Sequence, residues 1–278
     1  MTHSLKACAG IFLLLACPAF AAETQPLWEA GLGAAALDFP KYRGSNERTA
    51  RLLPFPYLVY RGKVLRFDER RMRGLVFESD RVELDLGFNG TLPVKSSDTA
   101  VRRGMPDLDA TLEIGPSLNV KLAGGHGAPS SLELRLSARA VIASDFSHAT
   151  RQGTVFQPTL AYDLRDPFGL IGWKFGLLGG PLAGDRAYHR YFYGVDSGYA
   201  TAQRPAYDAR GGYAGTQLTA ALSKRYPKFW VGGFTRWDRV DGAVFADSPL
   251  VQSRNGLSAG VALAWMLGES SQRVEREE

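Results

Sequence analysis

The chain has 278 residues, with 33 lysines and arginines against 28 aspartates and glutamates and a formal net charge of +5. That charge is modest and dispersed, with no basic patch interleaved with stacking aromatics, which argues against nucleic acid as a partner. The only cysteines are Cys8 and Cys17; the chain beyond them has no disulfide, thiolate nucleophile or cysteine metal site.

Residues 1–21 read as a secretory signal peptide. Lys6 precedes an apolar run from Ala7 to Ala16, and the small-x-small triplet Ala19-Phe20-Ala21 places cleavage after Ala21. The run is shorter than the roughly 20 residues a spanning helix needs. Leu14-Leu15-Ala16-Cys17 resembles a lipobox, the alternative leader. Residues 22–268 then form one β domain, and 269–278 a polar tail.

The domain opens with Trp28 to Asp38, rich in glycine and alanine. Arg51 to Tyr60 follows, with Pro54 and Pro56 arguing against a central sheet strand. Val64 to Glu78 comes after an Arg61-Gly62 turn. Arg81 to Gly90, RVELDLGFNG, alternates strictly: Val82, Leu84, Leu86 and Phe88 against Glu83, Asp85 and Asn89. That is the period of a strand with one apolar face. A soluble sandwich would turn this face to a core, a membrane barrel to lipid. The same alternation recurs in Asp107 to Leu122, interrupted by Gly115-Pro116-Ser117, and in Ser131 to Phe146. Gly153 to Leu164, Gly172 to Leu178, the aromatic-dense Arg186 to Val195, Gly212 to Lys224, Phe229 to Val240 and Leu257 to Leu267 complete the series. No segment shows a helical period.

These segments approach the roughly 9–11 residues that cross a bilayer at a tilt. Aromatics stand at their ends: Trp28, Tyr42, Tyr57, Tyr60, Phe146, Trp173, Phe229, Trp230, Trp237 and Trp265, in the manner of interfacial girdles. The reading is all-β, a transmembrane antiparallel β-barrel of 10–12 strands with 12 favoured, its charged rows facing the lumen. An even number puts both termini in the periplasm. The gaps after Asp38, Asp196 and Asp241 then fall outside and the turns near Arg61 and Tyr226 inside. Leu92 to Met105, carrying Lys95, Arg102 and Arg103, becomes a long inner turn.

Four words then accumulate in order. They are Leu52-Leu53-Pro54-Phe55-Pro56; Asp107-Leu108-Asp109 through Gly115; Tyr193-Gly194-Val195 followed by Pro205-Ala206-Tyr207-Asp208-Ala209; and Asp247-Ser248-Pro249 before the last strand. Together they resemble the MipA/OmpV family, the MltA-interacting outer-membrane proteins of Gram-negative bacteria, over nearly the whole mature chain. The resemblance implies a barrel in the outer membrane, touching lipid and lipopolysaccharide. It also implies a non-catalytic scaffold that joins a lytic murein transglycosylase to a penicillin-binding synthase in peptidoglycan growth. The OmpV branch implies osmolarity response, adhesion and antibiotic uptake, so a small-solute channel is the alternative. Lys95, Arg102 and Arg103 are the expected partner-binding residues. One departure stands out: the last strand ends Trp265-Met266-Leu267-Gly268 and a polar tail follows, where such barrels usually end on an aromatic residue.

An enzyme is not expected. A lipid-modifying barrel would need a serine or threonine beside a histidine oriented by an acid. Asp145, Ser147 and His148 cannot all face one way on a strand, and His189 sits among tyrosines. His126 lies in a Gly-Gly-His-Gly turn, and scattered histidines do not make a metal site. No cofactor is expected. Arg66, Arg70, Arg71 and Arg73, offset by Asp68 and Glu69, read as a solvated or self-paired cluster. Asp247-Ser248-Pro249 reads as a turn folded into the barrel mouth.

Overall fold

The computed structural model describes residues 24–62, 65–67, 72–124, 128–145 and 147–275. The signal peptide, His126, Phe146 and the charged residues Asp68, Glu69, Arg70 and Arg71 lie outside these. A short strand β1 (Thr24–Pro26) leads into β2 (Trp28–Pro40), β3 (Arg48–Arg61), β4 (Leu65–Phe67), β5 (Met72–Glu78) and β6 (Val82–Thr91). Then come β7 (Ala110–Ala123), β8 (Ser130–Ser144), β9 (Ala149–Arg165) and β10 (Trp173–Gly184). The helix α1 (Arg186–Tyr193) precedes β11 (Gly212–Arg225), β12 (Phe229–Arg239), β13 (Asn255–Glu269) and β14 (Arg273–Glu275). Strands β2 to β13 pair antiparallel with their chain neighbours, and β13 returns to β2, so twelve strands close into a barrel. The wall is thinnest between β3 and β4, which meet only at Tyr60 opposite Phe67 and Arg61 opposite Arg66, so among the described residues most of β3 pairs with β2 alone. The remaining pair, β1 with β14, clasps the two ends of the chain together, Thr24 opposite Glu275. The tail from 269 therefore contributes a strand.

The alternation resolves as a barrel requires. Glu83 lies opposite Asn119, Asp85 opposite Ser117 and Asn89 opposite Glu113, with Asp85, Ser117, Asn119 and Glu113 buried. Leu32 of β2, Leu52 of β3, Phe77 of β5, Leu112 of β7, Leu160 of β9 and Val261 of β13 are large apolar side chains left exposed on the outer wall. An apolar exterior around a polar, hydrogen-bonded interior is the pattern of a chain solvated by lipid.

Twelve strands emerge by two compensating departures from the sequence reading. Residues 64–78 hold two strands, β4 and β5, paired Arg66 to Arg73. Arg186 to Val195 holds no barrel strand; it is α1. The first departure reverses every strand from β6 to β10, and the second restores the rest. The segment between β6 and β7, with Lys95, Arg102 and Arg103, therefore lies at the end of the barrel opposite the termini. Glu47 Oε1, between β2 and β3, accepts the Ala100 N–H at 2.7 Å, so the two loops touch. This overturns the expected inner turn.

The aromatic girdle is partial. Phe229 stacks on Trp265 across β12 and β13, centroids 5.8 Å apart, with Tyr226 on Phe229 at 4.4 Å. Tyr57 and Trp230 instead pair inside the barrel, at 6.4 Å.

Candidate functional site in the barrel lumen

At the loop end the barrel mouth is filled by its own connections. The β10–β11 connection begins with α1, whose N-terminus is capped by Asp185: its Oδ1 accepts the Tyr188 N–H at 2.8 Å. Tyr188, His189, Phe192 and Tyr193 are buried, while Arg186 and Arg190 point out and pair with Asp208 and Asp196. Positions i, i+1, i+4 and i+5 make one helical face, which period-2 counting missed. Asp185 as N-cap and Gly194 at the C-cap were the available signals. Gly153 of β9, at φ +112°, lets the helix approach: a Cβ there would collide with Asp185 and the Tyr188 nitrogen.

The β12–β13 connection packs on this helix. Tyr193 stacks on Phe245, which with Leu250 is fully buried. Ser248 Oγ donates to the Tyr193 carbonyl at 2.8 Å, Tyr193 Oη donates to the Arg43 carbonyl at 3.0 Å, and Tyr42 Oη donates to the Leu250 carbonyl at 2.7 Å. Burial pushes the Tyr42 hydroxyl up to about 12. Val195 and Tyr207 exchange two backbone hydrogen bonds at 2.9 Å. The barrel's own Val141, Val155, Leu182 and Ala214 belong to the same core. The β2–β3, β6–β7, β10–β11 and β12–β13 connections thus share one apolar core and form a plug.

Of the sequence-predicted residues, Tyr193, Gly194, Val195, Asp247, Ser248 and Pro249 meet in this plug. Asp107 accepts the Ser96 N–H at 2.6 Å and the Asp109 carbonyl accepts Tyr191 Oη at 3.4 Å, holding the β6–β7 loop against it. Gly115 lies far off, in the wall. Lys95 and Arg103 are exposed, but Arg102 is buried. Its guanidinium donates to the carbonyls of Phe192 at 3.1 Å and Pro106 at 3.2 Å and to Ser96 Oγ at 3.3 Å. The three do not form one basic surface.

Beneath the plug a hydrogen-bonded ladder crosses the lumen wall. Glu113 accepts from Arg139 Nε at 2.9 Å, and Arg139 donates to Gln157 Oε1 at 2.9 Å. Gln157 donates to Gln217 at 2.9 Å, and Gln217 to Asp238 Oδ1 at 3.0 Å. Asp238 also accepts from Arg43 Nε and Arg236 Nε, both at 2.9 Å. Nearer the termini, Glu29 joins Arg61 at 2.8 Å and Arg225 Nε at 2.9 Å. Buried charges require such partners.

Between plug and termini lies a cavity of about 1430 Å³, lined from Leu37 to Val274 by wall and terminal-end residues and by none of the four plug connections. Among the described residues, no three of His, Cys, Asp and Glu converge as metal ligands would. His189 Nδ1 meets the Arg210 carbonyl at 2.6 Å, while Nε2 is buried without a hydrogen-bond partner, beside Gly184 of β10. His148 and Ser147 give their backbone N–H groups to Asp145 at 2.7 and 2.8 Å, a turn rather than a triad.

No curated protein matches the chain. Among solved structures, CymD, a monoaromatic hydrocarbon channel, is 10% identical and aligns over 90% of this chain and 68% of its own, with a TM-score of 0.25. The toluene transporter TodX of Pseudomonas putida is 8% identical over 87% and 68%, TM-score 0.27, and a porin 12% over 86% and 100%, TM-score 0.27. Likenesses so distant bear on no property of this chain. The model of the MltA-interacting protein MipA matches residues 32–267, almost the entire barrel. The chain belongs to the MipA family.

Proposed function

We propose that the protein is a plugged outer-membrane barrel with a non-catalytic role, holding a lytic murein transglycosylase and a penicillin-binding synthase together on its periplasmic side. The family's name, MltA-interacting protein, supplies the first partner. The observation that carries the reading is the plug: fully buried Phe245, Leu250 and His189 fill one mouth, which disfavours passage of solutes and leaves the surfaces to act. The clasped termini and the turns at 79–81, 166–172 and 226–228 share the other end. An even strand number assigns that end to the periplasm, where murein enzymes work. Lys95 and Arg103 then face outward, away from such partners, and the partner surface moves to the terminal end.

The test is capture of a purified lytic transglycosylase by the refolded mature barrel, with planar-bilayer conductance measured on the same preparation. A silent barrel that retains the enzyme supports the reading, and retention should survive Lys95→Glu with Arg103→Glu. Steady openings without retention would replace it with the channel reading, which the size of the cavity favours.

A further inference from the structure

One side of the lumen carries an apolar patch. On β2, β3, β12 and β13 the inward positions carry Leu37, Val59, Trp230 and Phe234. Small residues beneath them make this possible: a Cβ on Gly260 would meet Leu37 at 2.5 Å and Phe234 at 2.7 Å, and one on Gly232 would meet the Trp230 ring. The rings therefore lie flat on the wall. Phe234 is 37% exposed although it points inward, so an apolar face stands open to the cavity. Leaving that area wet forgoes about 25 cal/mol per Å² that a ligand would recover.

Charged side chains line the cavity along β6 to β10, and at the terminal end also on β2, β3 and β11. Seven basic and four acidic side chains line the cavity as a whole. Arg61 and Arg225 share Glu29, Arg135 holds Glu133 at 2.9 Å and Arg139 holds Glu113 at 2.9 Å. Lys121 of β7, also in the lining, makes no ion pair among the described residues. The cavity's surplus is positive, and it sits where water is confined and screening weak.

We propose that the cavity is a binding site for a small amphipathic anion. A planar aromatic body lies against Trp230 and Phe234, and its carboxylate, sulfonate or phosphate turns to Lys121 and Arg135. Ligand sites of this kind are concave, mostly apolar and oriented by a few placed polar groups. Access is from the terminal end, because the plug closes the other. The inference is independent of the scaffold role: binding to the cavity requires no protein partner.

The test is calorimetric titration of the mature barrel in lipid nanodiscs with naphthalene-1-sulfonate, against empty discs and against a naphthyl trimethylammonium analogue. The expected result is saturable one-site binding of the sulfonate, about tenfold or more tighter than the cation, and weakened by added salt. Lys121→Gln and Phe234→Ala should each weaken it several-fold while the folded barrel keeps its heat-modifiable mobility. The comparison of the two probes on the unaltered protein needs no variant. Heats equal to empty discs, or a cation bound as tightly as the sulfonate, would overturn the proposal.

Discussion

Tyr193 and Phe245 stack face to face, ring centroids 3.6 Å apart and planes 6° from parallel. One ends the helix after β10 and the other sits in the connection after β12, so this contact ties two loops into a single plug. Replacing Phe245, fully buried, with alanine removes a core aromatic, a change that costs about 3–5 kcal/mol in a packed interior. Here the loss falls on the plug and leaves the strand ladder intact. Phe245→Ala should therefore leave a heat-modifiable barrel whose loop at 195–211 is cut by protease. It should also show discrete conductance where the unaltered barrel is silent. A variant as protease-resistant and silent as the parent would mean that the stack does not hold the plug.

The plug should also respond to acid. Burial holds the His189 imidazole below its ordinary 6.5, opposed by the Arg210 carbonyl and Asp185 and assisted by Arg43. Arg43 in turn donates to Asp238, and the Tyr188 and Tyr193 rings pack against the imidazole, with Glu113 and Arg139 beyond Tyr188. With the folded value depressed, an opened plug binds the proton first. Stability of the closed plug is then full above 6.5 and falls as pH drops toward the lower folded value. Protease sensitivity of the 195–211 loop should rise between pH 7 and pH 5, and His189→Gln should flatten that rise. An unchanged profile in His189→Gln would assign the acid response elsewhere.

The wall was legible in the sequence because lipid and lumen impose period 2 on every long strand; Glu83, Asp85 and their apolar neighbours need no tertiary knowledge. The family words carried the resemblance for the same reason, being strand ends and plug turns in fixed order. What the sequence hid was local. In Val64 to Glu78 the chain reverses without a glycine-proline marker, so the alternation predicts one long strand where two exist. In Arg186 to Val195 aromatic density looked like a barrel strand, although Asp185 and Gly194 cap a helix. These two departures cancel in the strand count but not in direction, which moves Lys95, Arg102 and Arg103 from the expected end of the barrel to the other. The burial of Arg102 is not legible in the sequence, because its carbonyl partners, Phe192 and Pro106, are brought to it by tertiary packing.

Glu29 is the one carboxylate, among the described residues, that Arg61 and Arg225 both contact. It links the β3 and β11 sides of the lumen, its side chain 3% exposed and those of the arginines 24% and 28%. Glu29→Gln keeps the shape and removes the charge, leaving two cations facing each other. The expected loss is about 2 kcal/mol, the scale of a charge-assisted hydrogen bond reduced by partial exposure. It should appear as a lower urea midpoint with an unchanged slope. An unchanged midpoint would mean that water in the cavity replaces the carboxylate.

Gly115 tests the wall itself. The β7–β8 pairing runs from Ala110 to Ile114 and resumes at Ser117. Across the break Pro116 has no N–H to give. A Cβ on Gly115 would press into the Ala138 carbonyl and come within 2.8 Å of the Arg139 Cα. Both obstacles are backbone, so no rotamer relieves them. Gly115→Ala must part β7 from β8, or shift Arg139 off Glu113 and Gln157 and so break the ladder beneath the plug. The expected outcome is a large drop in the yield of heat-modifiable barrel on refolding, greater than for Gly87→Ala. Gly87 is opposite in the same register, and a Cβ there meets nothing closer than 3.8 Å. Equal yields from the two variants would show that the seam is wider than drawn, and the family's glycine would then need another reason.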